Sequence, residues 1–115
     1  MADQYEHING FALSVSGCRI RISDERWIHV TESHDYMAGN IDIVYETIES
    51  PDIIAKGDNG ALIAIKHFLK TSIGEKDMVA VYKEINRDGF LITAFMTSKP
   101  DKAAKRGVIW KKQQI

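Results

Sequence analysis

The chain has 115 residues, which sets an expectation of one domain over 1–115, with a folded body at 11–112 and a loosely attached polar stretch at 1–10. It is 44% hydrophobic and 27% charged with a formal net charge of −1, which excludes wholesale disorder and argues against indiscriminate nucleic-acid binding. Cys18 stands alone, so an internal disulfide, a thiolate zinc cage and a CxxC redox pair are excluded. No apolar run of membrane-spanning length and no basic-then-apolar leader is present, so a cytoplasmic protein with no membrane partner is expected.

Phe11–Val15 and Arg19–Ile22 are strand-like, and Ser16-Gly17 between them signals a hairpin turn. Ser23 is a helix N-cap, and Asp24 and Glu25 in the first turn complement the helix dipole, predicting a helix from Asp24 to about His34. Ile41, Val44, Tyr45 and Ile48 repeat at helical spacing, and Ser50-Pro51 closes this second helix because the residue before proline avoids helical geometry. Ile53–Ala55 and Ala61–Leu69, joined through Gly57-Asp-Asn-Gly60, form a second hairpin.

Asp77–Ile85 and Gly89–Ser98 form the third hairpin. A three-residue loop completed by Gly89 pairs Ile85 with Leu91 and Lys83 with Thr93. Side-chain alternation then gives an apolar face of Met78, Ala80, Tyr82, Glu84, Phe90, Ile92, Ala94 and Met96, which takes the helices. The other face collects Val79, Val81, Lys83, Ile85, Leu91, Thr93, Phe95 and Thr97, a mixture suited to binding; a plain solvated sheet face is the competing reading. Gly107–Lys111 is a short last strand, and Lys99–Arg106 is left open between a helix and an arm. Helices preceding a mostly antiparallel sheet predict an α+β architecture.

Charge is unevenly spread. Residues 99–115 hold six basic side chains (Lys99, Lys102, Lys105, Arg106, Lys111 and Lys112) against Asp101 alone, whereas the rest of the chain is net acidic. A basic terminal segment suits a polyanion, and a solvated lysine-rich tail is the alternative.

Histidine is the side chain whose unperturbed pKa lies near neutrality, and the chain has four: His7, His29, His34 and His67. His29 and His34 are five residues apart, about 140° around a helix, so they meet at one substrate only if the helix ends near Ser33. A hydrogen-bonded structural role is the competing reading for each. Their HxxxxH spacing lacks the i, i+4 relation of a helical zinc pair, and neither metal nor cofactor is expected. No GxGxxG, phosphate-loop or GxSxG motif is present. Histidine, lysine and threonine nevertheless suffice for metal-free phosphodiester cleavage. One histidine, His29 or His34, deprotonates a ribose 2′-hydroxyl, the other serves as the acid that protonates the leaving 5′-oxygen, and Lys83 with a threonine hydroxyl stabilises the phosphorane.

Glu25-Arg26-Trp27-Ile28-His29-Val30 followed by His34 resembles the ERWxHIxxxH helix of small phage and bacterial domains grouped as barnase–EndoU–colicin–RelE-like (BECR-fold) nucleases. The likeness continues through Tyr45-Glu-Thr-Ile-Glu-Ser-Pro-Asp52, Val81-Tyr-Lys-Glu84, Gly89–Thr97 and Arg106-Gly-Val-Ile-Trp110, in order over about residues 20–112. One departure is Ser33, where the family commonly has arginine. The resemblance implies two helices on one face of a curved, mostly antiparallel sheet and a metal-independent ribonuclease activity, often in toxin or phage-conflict settings. It carries His29, His34, Lys83, Thr93 and Thr97 over as catalytic candidates. Arg26, Ser98 and the basic Lys99, Lys105 and Arg106 are expected to bind substrate, the C-terminal cations through sequence-independent contacts with the RNA backbone. RNA is the expected partner, alongside an antitoxin or immunity-type protein. The alternative is a non-catalytic module of the same fold that binds RNA or a protein.

Overall fold

The computed structural model describes residues 10–113; the expected loose stretch at 1–10, apart from Gly10, and His7 lie outside them. The elements in chain order are β1 (Phe11–Leu13), β2 (Arg19–Arg21), α1 (Asp24–Ser33), α2 (Ile41–Glu49), β3 (Ile53–Lys56), β4 (Leu62–Phe68), β5 (Lys76–Ile85), β6 (Asp88–Thr97), α3 (Pro100–Ala103) and β7 (Val108–Lys111). The strands form one seven-stranded sheet in the order β1-β2-β6-β5-β4-β3-β7. Every pairing is antiparallel except β2 against β6. The α+β class expected from the sequence is the one observed.

α1 begins where its cap was anticipated: the Ser23 hydroxyl accepts the Arg26 N–H at 3.0 Å, satisfying one of the orphan donors of the first turn. It ends at His34, whose N–H still reaches the Val30 carbonyl at 2.8 Å before the chain turns through Asp35–Met37. In α2 the repeat buries Val44, Tyr45 and Ile48, and the Thr47 hydroxyl is satisfied by the Ile43 carbonyl. These residues close over the sheet with Ile20, Val30, Met37, Met78, Ala80, Tyr82, Leu91, Ala94 and Met96 in one core. Each fully buried large side chain there contributes roughly 1.5–3 kcal/mol. α1 and α2 thus cover one face of the sheet. The segment 99–106, left open by the sequence, contains the short helix α3, which borders the opposite face.

The third hairpin forms where expected, but in a different register. Asn86 and Arg87 both have positive φ, 51° and 72°, making a two-residue loop that pairs Ile85 with Asp88 and Lys83 with Phe90. Gly89 is not spent on the turn. A Cβ there would fall 2.2 Å from the Lys83 carbonyl oxygen and 2.7 Å from Ile20 Cδ1, so the glycine permits close approach of β5 and β2. The register then shifts between Tyr82, opposite Leu91, and Val81, opposite Thr93, leaving Ile92 as the extra residue of a β-bulge. Beyond the bulge the faces are as expected, with Thr93, Phe95 and Thr97 opposite Val81, Val79 and Asp77. Before it they are exchanged: Leu91 is buried in the core, while Phe90 and Ile92 line a cleft on the face away from α1 and α2.

Candidate functional site

That face, called the second face below, carries an open cleft of about 740 Å³. Its floor is Ile63 of β4, Val81 and Lys83 of β5, and Phe90 and Ile92 of β6. One wall is the loop Gly57–Asn59 with Ala61; the other is Lys102, Ala103, Lys105 and Arg106. Lys83 runs past the loop, its Cε 3.9 Å from where a Cβ on Gly60 would stand.

Four cations therefore converge from segments far apart in sequence. Arg106 is ion-paired with Asp58 across the cleft mouth. Lys83, Lys102 and Lys105 have no carboxylate at ion-pair distance among the described residues. Uncompensated ammonium groups around a low-dielectric floor focus a positive potential that attracts anions.

His34 reaches the same side of the molecule by a different route. Among the described residues no strand covers the outer edge of β6 beyond Phe90, because β2 pairs only with Asp88–Phe90. The chain leaving α1 passes this edge. There the Tyr36 hydroxyl donates to the Met96 carbonyl at 3.3 Å and accepts the Met96 N–H at 3.2 Å. The half-buried His34 ring lies 5.7 Å from the Tyr36 ring and 5.8 Å from that of Phe95, a second-face residue. Its Nδ1 is 3.5 Å from the Tyr36 hydroxyl, too long for a strong hydrogen bond.

The sequence-derived candidates thus divide by place. Lys83, Lys105 and Arg106 line the cleft. Thr93 is next along the second face, opposite Val81, and His34 is beside Phe95 two residues further on. Thr97 lies opposite Asp77, six residues from Lys83 along β5, or roughly 20 Å at strand spacing. Its hydroxyl accepts the Lys99 N–H at 2.9 Å, and Ser98 is engaged by the Lys76 ammonium at 2.8 Å. Thr97, Ser98 and Lys99 are therefore not brought to the cleft. His29 and Arg26 are exposed on α1, on the helical layer; His29 is about 100° around the helix from buried Val30. The cleft also contains residues outside the candidate set, among them Asp58, Asn59, Phe90, Ile92 and Lys102. Phe90 was assigned to the wrong face by the register. Asp58 and Asn59 were read only as a turn.

The far end of the second face has the opposite character. His67 faces Asp77 across β4 and β5, with Nδ1 2.9 Å from the Asp77 carboxylate and Nε2 2.7 Å from that of Glu75. These hydrogen bonds, to Glu75 first and Asp77 second, raise the imidazole pKa above its usual value. Burial alone would raise the Asp52 carboxyl, but the His67 N–H and the Lys112 ammonium outweigh it and hold it below its usual range. Among the described residues no group of three or more His, Cys, Asp or Glu side chains is placed to hold a metal ion. Among the described residues no helix is long and apolar enough to cross a membrane.

Comparison with family models, with curated proteins and with solved structures returns no match.

Proposed function

We propose that the protein binds RNA on its second face and cleaves it without a metal ion. The observation that carries this reading is the convergence of Lys83, Lys102, Lys105 and Arg106 on one cleft, with Thr93 and His34 next along the same face. The lysines hold the phosphodiester, a sequence-independent contact that displaces counterions. His34 takes the proton of the ribose 2′-hydroxyl, and the 2′-oxygen attacks phosphorus. The 5′-oxygen leaves with a proton from a lysine ammonium, and a 2′,3′-cyclic phosphate remains. Lys83 and the Thr93 hydroxyl stabilise the charge of the pentacoordinate state. The ordered likeness of residues 20–112 to BECR-fold nucleases supports both this chemistry and assignment of the α+β architecture to that fold.

A second reading, a binding module without catalysis, is favoured by one specific feature: His29, the other helix-borne histidine, is exposed on the helical layer rather than beside the cleft. Incubation of the purified protein with mixed RNA in EDTA separates the two. The nuclease reading expects fragments ending in cyclic phosphate, lost in His34→Ala and in Lys83→Ala. Intact RNA retained in a salt-dependent complex supports the module. Absence of both cleavage and RNA binding defeats both RNA readings and leaves a protein as the partner of the module.

A further inference from the structure

Lysines alone would suffice to hold phosphate, yet the floor between them is apolar and includes an aromatic ring. Phe90 is 45% exposed, although it belongs to a paired stretch of β6. Its position follows from the backbone. The two-residue turn sets Phe90 opposite Lys83, and the bulge at Ile92 adds a second apolar side chain to the same face. Bulges re-aim side chains in this way and are over-represented beside functional sites. Facing this platform is Asn59, exposed and held at φ 54°, whose carboxamide offers a donor and an acceptor and engages no other described residue.

Accepting the RNA reading of the cleft, we infer that this part of it is a nucleobase subsite and that the ligand is single-stranded. An unpaired base lies on the Phe90 ring and Ile92, Asn59 faces its polar edge, and Lys83, directly across the hairpin from Phe90, takes the adjoining phosphate. A base held in a duplex has both faces covered by its neighbours and cannot lie on the ring. The cleft volume of about 740 Å³ is in the range of sites that enclose a small organic ligand. An ammonium and an aromatic platform on one strand pair match the two parts of a nucleotide, and every base has a face to stack.

The test uses a short 2′-O-methyl oligoribonucleotide, which cannot be cleaved, an abasic strand with the same number of phosphates, and a duplex of the same sequence. Binding is followed by fluorescence anisotropy for the wild type, Phe90→Leu and Phe90→Tyr. The base-bearing strand is expected to bind about tenfold more tightly than the abasic strand. The duplex is expected to gain nothing over the abasic strand. Phe90→Leu should reduce the preference to about twofold or less with an unchanged salt slope, and Phe90→Tyr should retain it. Equal affinity for the base-bearing and abasic strands, or a Phe90→Leu loss shared by both, overturns the base subsite while leaving the phosphate cleft intact. Absence of binding to any strand overturns the RNA reading and the subsite with it.

Discussion

Lys83 and Phe90 stand directly opposite each other across the β5–β6 hairpin, so an ammonium and a partly exposed ring share one end of the second face. This pairing depends on the two-residue turn at Asn86-Arg87. With the three-residue loop anticipated from Gly89, Lys83 would face Thr93 and Phe90 would turn toward α1 and α2. The turn therefore decides what the cleft contains.

That dependence gives a first expectation about stability. Arg87 holds φ 72°, a conformation that costs a side-chain-bearing residue roughly 1 kcal/mol, so Arg87→Gly should stabilise the fold by about 0.5 kcal/mol. Gly89→Ala should do the reverse, by about 2–3 kcal/mol, because its Cβ would fall 2.2 Å from a backbone oxygen. Urea unfolding of both variants checks the pair. A stable Gly89→Ala protein would contradict the close packing of β2, β5 and β6.

Lys83 is expected to contribute through phosphate rather than through the fold. Lys83→Ala should weaken single-stranded RNA binding about three- to tenfold and lower the slope of log K against log salt by about 0.7, the loss of one phosphate contact. Lys102→Ala and Lys105→Ala should each act similarly. Filter binding at several salt concentrations measures this, and an unchanged slope would remove the lysine from the interface.

Asp58 opposes the same ligand. Its ion pair with Arg106 neutralises one of the four cleft cations, and its carboxylate adds negative charge at the mouth. Asp58→Asn should therefore raise RNA affinity by up to about fivefold, the scale of an exposed ion pair, most visibly at low salt. Weaker binding by this variant would show that Arg106 needs Asp58 to hold it in place.

Much of the fold was legible from local signals. Ser23 with Asp24 and Glu25 marked the start of α1, the Ile41–Ile48 repeat marked α2, and Pro51 its end. What escaped was long-range. The parallel pairing of Arg19–Arg21 with Asp88–Phe90 joins segments far apart in sequence and has no local signature. Gly89 looked like a turn residue because glycine favours turns, yet its lack of a side chain serves packing. The cleft draws on residues near 58, 83, 90 and 105, so its membership follows from the sheet order rather than from any motif. The basic segment after Ser98 was legible as charge, and its Lys105 and Arg106 line the same cleft as Lys83. The exposed position of His29 depended on how α1 lies on the sheet, which helical spacing alone does not give.

At the far end of the second face, only the doubly protonated His67 ring can donate to both Glu75 and Asp77. Because the folded-state pKa is raised, the contribution to stability is fully present below the unfolded value near 6.5 and is lost as pH rises through the folded value. Thermal unfolding of the wild type and His67→Gln should differ most between about pH 5 and 6.5 and converge at higher pH. A difference that grows with rising pH would show that the ring is not acting as a cation there.

In the proposed cleavage, His34 is the histidine that serves the RNA-binding face. The rate of cyclic-phosphate formation in EDTA should fall by about 10²–10⁴-fold in His34→Ala and stay near the wild-type rate in His29→Ala. Full activity in His34→Ala, or loss confined to His29→Ala, would contradict it.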